Sequence, residues 1–257
     1  MFLKTEHIVS DKNIKVKDLI SRKDELFIFE GEKLVSDLIR KDFTPALLLV
    51  NSEHEKKFEP VIQEGTPVWN VSEKVMRKIS SLKSPPTIIA VYEELPDNPG
   101  IYKNKIIFAM DSIQDPGNLG SIFRCAAAFG IRSIALTGEC VKLTNNKLLR
   151  AAQNSVFYLS VAKYTSLGDF ITEAVEKKFN IYLTSSRHHG AQASIDDIEL
   201  PAVLVLGNEG KGVSEKFFRN YQTISIGQTD LVESLNAGVS GCILMNQVSE
   251  HFRLIKS

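Results

Sequence analysis

An unbroken apolar run, Ile106-Ile107-Phe108-Ala109-Met110, stops at Asp111 and is soon followed by Asp115-Pro116-Gly117-Asn118-Leu119-Gly120-Ser121-Ile122-Phe123-Arg124. No other feature constrains the fold as strongly. A short apolar run of this kind is a strand buried on both faces, which belongs inside a parallel sheet. Ile122, Phe123, Ala126, Ala127 and Phe129 then recur at helical spacing, and Gly130 offers a stop. Strand, glycine-rich turn and helix place Asn118 near an N-cap, with Arg124 about two turns in. Free N–H groups at a helix start attract anions, so a cation close behind marks a phosphate or polyanion site.

The rest of the chain alternates in the same way. Strands are expected at Ser133–Leu136, Ile181–Thr184, Val203–Leu206 and Thr223–Ile226, with helices over Leu167–Phe179 and from about Leu235 to Phe252. This alternation requires an α/β parallel sheet with helices on both faces. Chain order alone predicts a simple doubly wound topology without a knot. Upstream, a smaller α/β domain is expected. Its helices are marked by Ile14, Val16, Leu19 and Ile20, by Glu32–Arg40, and by Val75, Met76 and Ile79 behind a Ser72 cap. Its strands are Leu26–Phe29, Ala46–Val50, a short one at Val68-Trp69, and Thr87–Tyr92. Glu93 to Gly100, with two prolines, breaks all periodicity. The boundaries are therefore 1–95 for the first domain, 96–104 for a linker and 105–257 for the second.

Charge bounds the partners. Lys+Arg and Asp+Glu each number 31, so the chain is neutral and cannot coat nucleic acid through bulk charge. A local patch is still open to it: no acid lies between Glu139 and Asp169, while Lys142, Lys147, Arg150 and Lys163 do. That stretch is either a solvated face or an RNA-facing surface. Cys125, Cys140 and Cys242 lack metal-ligand spacing, which points to reduced thiols and no metal, with Cys125 and Cys242 as small core hydrophobes. His188-His189 before Gly190 reads as a solvated loop. The start lacks a signal-peptide pattern and no apolar run approaches membrane-spanning length, so a soluble, cytoplasmic protein with no membrane partner is expected.

Two more segments carry chemistry: Val205-Leu206-Gly207-Asn208-Glu209-Gly210-Lys211-Gly212-Val213-Ser214, and Val232-Glu233-Ser234-Leu235-Asn236-Ala237. The first is not a Walker loop, since no Gly-Lys-Ser/Thr follows at the right spacing. Its glycines let backbone approach a ligand closely after a strand. Together with residues 115–124, in this order, the segments resemble the SpoU/TrmH (SPOUT) family of knotted RNA methyltransferases. The resemblance is close over 105–137 and 202–245. It implies transfer of a methyl group from S-adenosylmethionine to a ribose 2′-hydroxyl of structured RNA, rRNA or tRNA. It also implies a deep trefoil knot in the C-terminal domain and a homodimer whose interface lies beside the cofactor pocket. The N-terminal domain resembles the family's substrate-binding module, similar to a small RNA-binding ribosomal protein, through Phe29–Val35 and Ser81–Pro86.

Carried over position by position, the resemblance makes Arg124, Asn118, Glu209, Ser234 and Asn236 the catalytic set. It makes Gly207, Ile226, Leu235, Leu206 and Ala237 the cofactor contacts. Two roles fit Arg124: the base that takes the hydroxyl proton, or a fixed cation that grips phosphate and stabilises a developing alkoxide. Asn118 and Asn236 each suit a helix cap as well as a substrate contact. Ile226 and Leu235 suit an adenine pocket and core packing alike. The final helix carries Val239, Ile243, Leu244, Met245 and Val248, more apolar surface than one packed stripe needs, which is expected to form the dimer contact. The sequence departs from the family pattern at Asn154, at Gly227 and at Ala237-Gly238, where a weakened helix start is expected.

Overall fold

The computed structural model describes residues 5–96, 98–185, 191–208, 210–229 and 231–255. Its contacts divide the chain into two units, residues 1–96 with 143–154, and 97–142 with 155–257.

The first unit runs β1 (Thr5–Ile8), α1 (Ile14–Ser21), β2 (Phe27–Glu30), α2 (Glu32–Arg40), β3 (Leu47–Asn51), α3 (Glu55–Phe58), β4 (Val68–Val71), α4 (Glu73–Ile79) and β5 (Ile88–Tyr92). Its sheet has the order β1-β4-β3-β5-β2, parallel at β1, β4 and β3 and antiparallel at β5 and β2. The helices form where apolar stripes and caps dictate. In α2, Val35, Leu38 and Ile39 are buried, and Gly31 at φ 102° makes the sharp entry that an L side chain would resist. Ser72 caps α4 by accepting from the Val75 N–H. Strand β1 was not legible, because Thr5-Glu6-His7-Ile8 has no apolar run; pairing with β4 at the sheet edge makes it a strand.

The second unit continues with β6 (Ile106–Asp111), α5 (Pro116–Ala128), β7 (Ser133–Thr137), α6 (Asn146–Ala152), β8 (Ser160–Tyr164), α7 (Leu167–Glu176), β9 (Asn180–Thr184), β10 (Gln192–Ala193), β11 (Ala202–Leu206), β12 (Gln222–Ile224) and α8 (Ala237–His251). Of these, α6 packs on β2 and belongs with the first unit. There Thr144 donates to the Asp24 carbonyl and Arg150 to the Ser81 hydroxyl. The basic stretch noted above is thus divided: Lys147 and Arg150 sit in the first unit, Lys142 and Lys163 in the second.

The second unit's sheet is parallel throughout, with the order β10-β12-β9-β11-β6-β7-β8. The two strands built on unbroken apolar runs, β6 up to Met110 and β11, lie side by side inside it, as burial on both faces demands. Phe170, Ile171 and Ala174 of α7 cover one face over Ile107, Ala109, Val203 and Val205. Helices α5 and α8 pack together, against Leu206 of β11. Among the described residues no helix is long and apolar enough to cross a membrane.

Two local expectations change. The cap of α5 is Asp115, whose carboxylate accepts from the Asn118 N–H at 2.8 Å; Pro116 takes the first helical position and Asn118 lies inside the first turn. The strand expected to run to Ile226 ends at Ile224, which frees Ile226 for the cleft described below.

Helix α8 comes close only because Gly241 has no side chain. A Cβ there would lie 2.9 Å from Leu206 Cδ2 and 3.0 Å from Ile122 Cγ1. Gly241→Ala should therefore overpack this seam and cost about 1–3 kcal/mol despite alanine's better helix propensity. Thermal unfolding checks it: a mutant as stable as the parent would mean that the seam has slack.

Candidate active site

The loop leaving β11 is built around two adjacent residues. At Gly207 an added Cβ would stand 2.3 Å from both Gly212 C and Val213 N, so the chain doubles back against its own main chain. Only glycine permits this. The sequence reading placed a ligand against this glycine; the loop's own backbone is a second, independent reason for it. Next to it, Asn208 holds the turn. Its Oδ1 accepts from the N–H of Gly210 at 2.8 Å and of Lys211 at 3.3 Å, and its carbonyl accepts from Gly212 at 2.9 Å. Its Nδ2 donates to the Ser112 carbonyl at 2.8 Å, across to the turn that follows β6.

This loop forms one wall of a cleft of about 350 Å³, the size of a small-molecule site. The opposite wall comes from Ile226, Gln228, Glu233, Ser234, Leu235 and Ala237. Leu206, Gly207, Ile226, Ser234, Leu235 and Ala237, all singled out from sequence, line it. Leu206 closes its floor at the end of β11, with Thr184 nearby, whose hydroxyl donates to the Val205 carbonyl. Apolar side chains, exposed main chain and the charged Lys211, Glu215 and Glu233 are thus gathered in one concavity. That donor set suits S-adenosylmethionine: an apolar slot for adenine, peptide groups for its ring edges, and both signs of charge for the amino-acid and sulfonium groups.

Of the other catalytic candidates, Asn118, Asn236 and Arg124 do not line this cleft. Asn236 caps α8, its Oδ1 accepting from the Val239 N–H at 3.2 Å. A Cβ on Gly238 would lie 3.1 Å from the Oδ1 of Asn118 and of Asn236 alike. The two asparagines therefore converge over one glycine where α5 and α8 begin together, and both helix N-termini present their positive ends there. With Ala237-Gly238 at its start, where a weakened turn is expected, α8 still begins at Ala237 behind the Asn236 cap, and a Cβ on Gly238 would crowd both asparagines. Arg124 is exposed on α5, does not line the cleft and has no ion pair with any described residue. Glu209 lies outside the described residues, as do His188 and His189.

The cysteines are not core residues. Cys125 and Cys242 are half-buried on α5 and α8, where Cys242 meets Cys125 and donates weakly to the Ser121 carbonyl. Burial, reinforced by the Cys125 thiol, pushes Cys242 up to about 12, which rules it out as a thiolate near neutrality. Asp111, at the end of β6, is raised by burial in spite of hydrogen bonds from the Thr137 and Ser112 hydroxyls. Among the described residues no three His, Cys, Asp or Glu side chains gather into a metal-sized cluster. Sequence reasoning missed Asn208 as a site residue. The signal was present, since an Asx residue two positions before glycine is a turn former.

Comparison with known proteins agrees with this geometry. A family model described as the SpoU rRNA Methylase family matches residues 105–246, and one described as an MRM3-like substrate binding domain matches residues 16–90. The 23S rRNA (guanosine(2553)-2'-O)-methyltransferase RlmP of Bacillus subtilis strain 168 is 30% identical over 251 residues, covering 93% of this chain and 98% of that protein. Among solved structures, an AdoMet-bound rRNA methyltransferase from Sinorhizobium meliloti superposes with a TM-score of 0.80 at 25% identity, over 96% of this chain and 98% of that one. The AdoMet complex of AviRb from Streptomyces viridochromogenes shares the fold, with a TM-score of 0.78 at 21% identity over 94% and 99% of the two chains.

Gly207→Ala tests the cleft. Its methyl group cannot share space with main chain at 2.3 Å, so the 207–213 loop must move and cofactor affinity should fall at least about tenfold, or 1.4 kcal/mol. Calorimetric titration with S-adenosylmethionine measures this, and unchanged affinity would show that the loop does not shape the site.

Proposed function

The chain belongs to the SpoU rRNA Methylase family, and we propose that it methylates a ribose 2′-hydroxyl of large-subunit ribosomal RNA, with S-adenosylmethionine as donor. One observation carries the reading: a cofactor-sized cleft borders the seam at which Asn118 and Asn236 converge. The choice of ribosomal RNA is supported by the whole-length likeness to a 23S rRNA 2′-O-methyltransferase, which spans the catalytic and substrate-binding parts together. In this reading the first unit holds the RNA and the second performs the reaction.

When bound, S-adenosylmethionine supplies an activated methyl group on a sulfonium, so the protein's own task is position and electrostatics. The walls from Gly207, Asn208 and Gly210 to Val213 on one side, and from Ile226, Gln228, Ser234, Leu235 and Ala237 on the other, hold the donor. Asn118 and Asn236 offer amide groups to the ribose at the paired helix starts. An arginine gives up its proton in no ordinary protein surrounding, so we assign Arg124 the electrostatic role: it grips a phosphate beside the target and stabilises the developing alkoxide. Its exposure and lack of a described ion partner leave the guanidinium available for this. Glu209 is proposed on its motif position alone.

We also assign the chain a two-fold dimer, in which RNA meets both copies, and a C-terminal segment threaded as a trefoil knot; both rest on the family likeness. The apolar surplus expected on α8 is smaller than the sequence suggested. Leu244, Met245 and Val248 are buried within the unit, Met245 and Val248 completely, and Ile243 is half-buried. Val239 is 49% exposed and remains the candidate contact.

Arg124→Ala should lower methyl transfer by about 10²–10³-fold, as loss of one charge-stabilising donor does, while S-adenosylmethionine affinity stays within a few-fold. Tritiated methyl transfer to ribosomal RNA, set beside calorimetry, separates the two; near-parental turnover would remove Arg124 from the chemistry. Val239→Glu should cost dimerisation and methylation together, because a charge placed in an interface core is expensive. Sedimentation at micromolar concentration reads the first. A monomer of full activity would refute the assembly.

A further inference from the structure

Asn208 engages both ends of its side-chain amide, and it does so across two motifs. Oδ1 gathers the Gly210 and Lys211 N–H groups into the turn that walls the cleft. Nδ2 donates to the Ser112 carbonyl at 2.8 Å, 96 positions earlier in the chain. Ser112 is itself tightly determined. It sits at φ 57°, a left-handed conformation unusual for serine, and its N–H donates to the Thr137 carbonyl at 2.9 Å. Its hydroxyl occupies the space beside Gly138, where an added Cβ would come within 2.5 Å of it. One residue on, the Ile113 carbonyl accepts from the Val141 N–H at 3.0 Å. This braced turn leads directly to Asp115, which caps α5 and fixes where Asn118 and Arg124 stand.

We propose that Asn208 is a positioning residue for methyl transfer: its amide clasps the donor-binding loop to the braced turn before α5, setting the donor's distance and line of approach to the ribose hydroxyl. The inference rests on the methyltransferase reading above. Its physical basis is the steep dependence of an in-line displacement on alignment, for which an error of about 1 Å costs on the order of 10²-fold. The two ends of the amide have separate duties. The oxygen shapes the loop that holds the donor, and the nitrogen ties that loop to the acceptor side.

Asn208→Asp divides them. The aspartate retains an oxygen for the Gly210 and Lys211 N–H groups but turns a second oxygen, with no proton, towards the Ser112 carbonyl. Asn208→Ala removes both ends. Asn208→Ser keeps a short acceptor for the turn without charge and cannot reach Ser112, which covers the case in which the aspartate variant fails to fold. Purified full-length protein is titrated with S-adenosylmethionine by calorimetry and then assayed for tritiated methyl transfer to ribosomal RNA at saturating donor and RNA, with melting curves as the folding control. The expected result is a split: the Asn208→Asp or Asn208→Ser variant binds the donor within about threefold of the parent yet turns over at least about thirtyfold more slowly, while the alanine variant loses both.

Turnover of the aspartate or serine variant within about threefold of the parent would overturn the clasp. So would donor affinity falling as far as in the alanine variant, since Asn208 would then serve the loop alone. Should the parent protein bind the donor and methylate no ribosomal RNA, the substrate reading fails first and the positioning role falls with it, a result distinct from either of the others.

Discussion

Everything at this site depends on how closely two helices can approach each other against the middle strands of one parallel sheet. Helices α5 and α8 arise from distant parts of the chain, one directly after β6 and the other after the last strand. Their contact holds because Gly238 and Gly241 present no Cβ to Asn118, Leu206 and Ile122. An alanine at either position would favour the isolated helix by up to about 1 kcal/mol, so propensity is sacrificed to proximity. The return is a point where two helix N-termini and two asparagine amides face one region of space. The cleft beside it inherits its floor from Leu206, which Gly241 also touches.

The loop after β11 follows the same logic at shorter range. Gly207 allows main chain to meet main chain, and Asn208 replaces the missing secondary structure with side-chain hydrogen bonds. A cofactor wall made in this way offers mainly peptide groups, which are fixed in place and uncharged. Lys211, Glu215 and Glu233, all exposed, add charge of both signs to it. That division suits a donor which already carries its own positive sulfonium, because the protein must align it more than activate it.

Much of this was legible in the sequence because the informative residues obey strong local rules. Strands β6 and β11, the Glu32–Arg40 helix and the Ser72 cap stand where periodicity and capping chemistry put them. The misplaced cap of α5 is instructive. Asn118 drew attention as a capping residue, yet Pro116 favours the first helical position and therefore points to Asp115 one place earlier. What stayed hidden was either too polar or set by distant partners. Strand β8, Ser160–Tyr164, is only partly buried at the sheet edge, and β10 is two residues long. The attachment of α6 to the first unit depends on contacts with β2 that no local pattern announces. Likewise, which apolar residues of α8 face inward could not be read from a helix rich in them on every side.

The departures from the family pattern bear on whether the fold has kept its activity, and the structure treats them differently. Gly227 has open space where a Cβ would be and does not occupy the left-handed region, so neither sterics nor backbone conformation demands glycine there. Drift at such a position says little about function. Gly238 is the opposite case: a Cβ there would lie 3.1 Å from the Oδ1 of both Asn118 and Asn236, tight enough that both would have to give way slightly. A chain that had kept the fold only to bind RNA would have no need of this. Alanine would raise the helix propensity of the first turn of α8 by up to about 1 kcal/mol, and only the neighbourhood of the two asparagines stands against it. A helix that forgoes that stabilisation at the one turn where both asparagines converge fits a site still in use, and it weighs against a silent RNA-binding relative.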